Sequence, residues 1–186
     1  MGKIKFVWVF GVCFALVSGI LYGQGKYLAN DGKISFYSHT AIEDISAENA
    51  NVSSVIDAAS GEVAVIVLMT GFQFEKKLMQ EHFNENYVES EKYPKATFNG
   101  KIVNNSEVDY SSKGKYPVQV EGDMLIHGIK KHIMVDGSIE VIEKAIIVQA
   151  KFLLNPEDYE IKIPRVVRKN IAERLEISIT LKNPAI

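Results

Sequence analysis

Cysteine is nearly missing from this chain: of 186 residues one is Cys13, and it lies inside an apolar run near the N-terminus. Whatever follows that run has neither a disulfide nor a thiol nucleophile, and its stability rests on its core. An excess of positive charge is missing as well. With 21 Lys and Arg against 23 Asp and Glu the formal charge is −2, which excludes the broad basic surface on which nucleic-acid binding depends. Metal and hydrolase signatures are also lacking. The 4 histidines form no His-Glu-x-x-His run and no ligand pair at helical spacing, and there is no serine elbow. The sequence has no internal repeat, low-complexity tract or interdomain linker.

What is present begins with Lys3 and Lys5, followed by the apolar run from Phe6 to Leu21 and the small residues of Gly23-Gln24-Gly25. That order is a secretory signal, and the run falls short of the roughly 20 apolar residues a spanning helix needs. Cleavage is expected near residue 23, in preference to an uncleaved anchor, leaving a periplasmic or secreted domain over 24–186. Phe10-Gly11-Val12 is not a lipobox, so Cys13 reads as an apolar signal residue rather than a lipidation site. Cleavage removes two lysines and no acidic residue, which takes the charge to −4. The remaining chain of about 160 residues is long enough for one self-sufficient core.

Alternation of apolar and polar residues dominates this remainder. Strands are expected over 32–38, 62–74, 96–103, 116–126, 133–141, 145–152 and 175–182. The run over 62–74 is apolar on both faces, which predicts a strand covered on its outer side or central to the fold. From Glu75 to Tyr87 the period changes, and Leu78, Met79, Phe83 and Tyr87 fall on one helical stripe. The segment Ser90 to Pro94 ends that short amphipathic helix. An all-β domain of about eight strands packs as a sandwich or closes as a barrel, and periodicity does not choose between them.

Two segments carry a resemblance. Lys77-Leu-Met-Gln-Glu-His-Phe-Asn-Glu-Asn-Tyr87 leading through Tyr93-Pro94 to Thr97-Phe98, and Tyr116-Pro117 leading through Gly122-Asp-Met-Leu-Ile-His-Gly128 to Lys131, resemble hallmarks of the YceI-like family of polyisoprenoid-binding proteins. The resemblance covers about 32–182. It implies an exported, extended, eight-stranded antiparallel lipocalin-like β-barrel with one short amphipathic helix inserted, holding the tail of a long-chain isoprenoid-type lipid or quinone. The chain departs from the pattern between Lys33 and Asn51, where one mouth of the barrel would form, so the identity of the ligand is not carried over.

On that reading the candidate ligand-binding residues are Phe36, Val63, Val65, Val67, Met69, Leu78, Met79, Phe83, Phe98, Met124 and Ile126. Apolar alternation suits a filled core as well as a lumen, and methionine fills gaps in either. No catalytic residue, metal or cofactor is expected. The rivals to a lipid carrier are a filled-core envelope stress or interaction module and, behind it, an enzyme acting on a lipid-like substrate. His127-Gly128 reads as a hairpin turn, and His82 as a residue orienting the mouth. Lys162, Arg165, Arg168, Lys169 and Arg174 form a basic cluster that is either a solvated face or a site for anionic headgroups. A membrane surface and a second copy of the chain, as a homodimer, are the further partners considered.

Overall fold

The computed structural model describes residues 25–186, so the expected signal peptide lies outside the described residues. Nine antiparallel strands follow in order: β1 (Lys26–His39), β2 (Asp44–Asp57), β3 (Glu62–Leu68), β4 (Gln73–Phe74), β5 (Lys95–Ile102), β6 (Gly114–Ile126), β7 (Ile129–Ile142), β8 (Ala145–Leu154) and β9 (Leu175–Pro184). β1 pairs with both β2 and β9, which closes the sheet into a barrel of eight strands. β4 is a two-residue addition to β2. Closure leaves no long unpaired edge, as an antiparallel sheet with one solvated face requires.

Chain direction sorts the connections onto two ends. The turns 58–61 and 143–144, the loop 103–113 and both ends of the described chain lie at one end. The turn 40–43, the segment 69–94, the 127–128 turn and the long strap 155–174 lie at the other. The first end is filled. Ile56, Ile102, Ile139 and Ile146 are buried there with Val118 and Val141. Tyr27 stacks on Tyr110 with ring centroids 5.9 Å apart, and burial pushes the Tyr110 hydroxyl up to about 12. That hydroxyl donates to Asn105 Oδ1 at 2.8 Å, and Asn105 Nδ2 donates to the Ala58 carbonyl at 2.9 Å, which fastens the 103–113 loop across the barrel as a plug.

Three expectations are corrected. The stretch after Lys33 that departs from the family pattern is for the most part regular strand. Only 40–43 is a mouth turn, and β2 carries Ala47, Asn49, Val52, Ser54 and Ile56 at its buried positions. Small and polar residues fill those inward places, and a register shift in the β1–β2 pairing breaks the alternation. Asn49 donates to the Leu68 carbonyl at 2.8 Å and accepts from the Asn51 amide at 2.9 Å, so a fully buried amide replaces an apolar side chain there. The 62–74 run is interrupted by a 3-10 turn at Met69–Gly71. Its outer face is uncovered: Ile66 is 43% and Leu68 51% exposed. The expected helix is also shorter. α1 spans Lys77–His82 and passes into a π-helical turn over Phe83–Tyr87.

Candidate functional site: an apolar lumen open at one end

At the second end the barrel is hollow. A cavity of about 360 Å³ runs from the level of Val63 and Val120 to the strap and α1, within the usual range of roughly 300–1,000 Å³ for small-molecule sites. β-pairing decides which side chains face it. Val65 pairs with Phe98 and Phe98 with Met124, so these three form one inward row across β3, β5 and β6. Gly137 pairs with Ala150 on the far wall, where the lack of bulk leaves the lumen open. Gly122 serves another purpose. A Cβ there would stand 2.4 Å from both the Asn99 carbonyl oxygen and the Gly100 Cα, so only glycine allows β5 and β6 this approach.

Of the candidate residues, Phe36, Val63, Val65, Val67, Met69, Met79, Phe83, Phe98, Met124 and Ile126 line the cavity. Leu78 does not: it is 62% exposed on the outer side of α1. The sequence stripe placed it with Met79, but α1 has only six residues, and packing turns Met79, Phe83 and Tyr87 inward instead. Sequence reading found the basic residues of the strap but missed its apolar ones, Ile161, Ile163, Val167 and Ile171, which face the lumen. Their spacing is two residues at first and four thereafter, with Pro164 between, so no single period runs through the segment. Also missed was a cluster of four rings, in which Phe36, Phe72, Phe74 and Phe83 meet with centroids 5.1–5.8 Å apart.

The polar side chains that reach the cavity lie mainly at its rim and are largely occupied. Ser38 Oγ accepts from the Ala172 amide at 2.8 Å. Glu43 accepts from Lys76 Nζ at 2.9 Å and from Asn170 Nδ2 at 3.0 Å, joining the 40–43 turn, the lead into α1 and the strap. Hydrogen bonds from Asn170 and then Lys76 hold the Glu43 carboxyl below its ordinary range. His82 is exposed at the edge, and Tyr87 has its hydroxyl pushed up by burial.

A second clasp explains the family-like residues. His127 and Gly128 have φ of 51° and 77°, the left-handed pair a two-residue hairpin turn demands. The His127 ring, 11% exposed, places Nδ1 3.1 Å from the Tyr159 carbonyl and Nε2 2.7 Å from Glu89 Oε2. Tyr93 packs edge-on against it at 4.5 Å. Both ring nitrogens are engaged, one with a carbonyl and one with a carboxylate. The clasp ties the β6–β7 turn to the segment after the π turn and to the strap. This agrees with a structural role for His127-Gly128.

Residues 27–183 match the family model described as YceI-like domain. A polyisoprenoid binding domain from Saccharophagus degradans, implicated in plant cell wall breakdown, superposes with a TM-score of 0.76 at 16% identity, covering 88% of this chain and 99% of that one. Burkholderia cenocepacia BcnA gives 0.68 at 14% identity over 81% and 95% of the two chains. A Campylobacter jejuni YceI protein gives 0.56 at 15% over 100% and 92%. At these identities the likeness is one of fold. No curated protein matches the sequence significantly.

Proposed function

This chain belongs to the YceI-like family, and on that premise we propose that it is an exported carrier or sequestering protein that holds a polyisoprenoid, the prenyl tail of a quinone or a similar long apolar lipid in its lumen. The observation that carries the reading is the half-hollow barrel, plugged at one end and lined by apolar side chains at the other. Each methylene moved from water into such a lumen contributes about 0.8 kcal/mol and needs no polar partner. The polyisoprenoid-binding domain with the same fold supports the choice of ligand class. The four-phenylalanine cluster beside the mouth suits the flat, polarizable units of a prenyl chain or quinone ring.

Binding without turnover is the proposed role. Glu43, His82 and Tyr87 are the titratable side chains on the lining, and Glu43 is already committed to Lys76 and Asn170. The test is to isolate the protein from its native envelope, extract it with organic solvent and identify the extract by mass spectrometry. A prenyl lipid or quinone is expected. An empty extract, together with no uptake of added quinones or prenyl lipids, overturns the reading.

A further inference from the structure

We propose that the mouth of the barrel docks on an anionic lipid bilayer, with the strap leading; the inference rests on the lipid-carrier reading and names the surface from which cargo is exchanged. Between Ile161 and Ala172 the strap carries Lys162, Arg165, Arg168 and Lys169 and no acidic residue, in a chain whose overall charge is negative. Its side chains are sorted. Ile161, Ile163, Val167 and Ile171 face the lumen, while Lys162, Arg165, Val166 and Lys169 are exposed. Arg168 is paired with Glu157, whereas Lys162, Arg165 and Lys169 enter no ion pair among the described residues.

Apolar tips accompany this charge. Val166 is 90% exposed on the strap, Ile42 61% on the 40–43 turn and Leu78 62% on α1. These are the three segments that Glu43 joins through Lys76 and Asn170, so the tips belong to one rim. Exposed apolar side chains flanked by bases suit the boundary between headgroups and acyl chains, where the tip enters and the base meets phosphate. The α1 side carries Glu81 and Glu85, both exposed, so the strap approaches first. Acidic Glu160 and Glu173 flank the basic run and confine the attraction to it.

Function gives the surface a purpose. Each methylene exposed to water during transfer makes the step about fourfold less favourable, and a mouth seated in the headgroup layer avoids that exposure. Gly25 lies at the opposite, plugged end, where its carbonyl accepts from the Ala58 amide.

The test is flotation of the protein with vesicles of phosphatidylcholine alone and of phosphatidylcholine with phosphatidylglycerol, both free of prenyl lipids. Binding to the phosphatidylglycerol vesicles is expected, falling with salt. The combined variant Lys162→Glu, Arg165→Glu, Lys169→Glu should lose about tenfold or more, and Val166→Ser should also weaken binding. A Val166→Trp emission that shifts to the blue on these vesicles, with no other tryptophan in residues 24–186, reports insertion of the tip. Loading with a prenyl lipid from detergent micelles should be unchanged in all of these variants, since none of the residues lines the lumen. No flotation with phosphatidylglycerol vesicles at low salt, or equal flotation by the charge-reversed variant, overturns docking and leaves the lumen reading intact. Docking with no uptake of prenyl lipid keeps the surface and removes the carrier.

Discussion

Ile139 and Ile177 show how much a residue's place in this barrel matters. Both are buried isoleucines, but Ile139 belongs to the plug and Ile177 faces the lumen. Truncating Ile139 to alanine costs the transfer of its methylenes and opens a new cavity, about 2–5 kcal/mol. Ile177→Ala extends a cavity that already exists, so it should cost about 2 kcal/mol, the transfer part alone. Urea melts of the two variants should fall in that order, and the reverse order would show the lumen to be packed. His127 makes a second residue-scale case. His127→Ala leaves the Tyr159 carbonyl and the Glu89 carboxylate without their ring partner, and about 1–3 kcal/mol of stability should be lost in the same assay. His127 and Gly128 were legible in the sequence as a turn, because their conformation is local. The partners of the ring, 32 and 38 residues away, were not.

Among the elements, strands with one apolar face could be read directly, and β6, β8 and β9 lie close to where alternation put them. β2 could not, since Ala47, Asn49 and Ser54 are inward residues that look solvent-facing in a sequence. Burial of an amide or hydroxyl is tolerated only where distant partners satisfy it, and those partners become visible only once the strands are paired. The strap behaves similarly, being defined by what it covers. Its fastening to Glu43 depends on pH. The Glu43 carboxyl is held below its ordinary value of 4.5, so the clamp's contribution is present above that value and is lost as pH falls through the lowered one. Hydrogen exchange of the strap amides, followed from pH 6 downward at corrected intrinsic rates, should show protection falling only below the ordinary value of 4.5. A Glu43→Gln variant should lack that step.

For the molecule as a whole, the combination of a plugged end and a hollow end predicts ligand-linked stability. A prenyl lipid at about a hundred times its dissociation constant should add about 2.7 kcal/mol, read as a rise in the unfolding midpoint of the loaded protein. The proposed cleavage near residue 23 predicts a mature protein that yields no thiol in a denatured Ellman titration, because the one cysteine is Cys13; an intact mass that includes the leader would contradict it. Alternation, composition and short motifs are local properties of a chain, and they suffice for the strand-rich class, the dependence on a core without disulfides and the family. That the barrel is full at one end and empty at the other emerges only when the sheet closes. The same apolar alternation serves both halves, and the difference arises where Tyr27, Tyr110 and the 103–113 loop fill one end while Gly137 and Ala150 leave room in the other. Volume is a sum over residues far apart in sequence, so it exists only after closure.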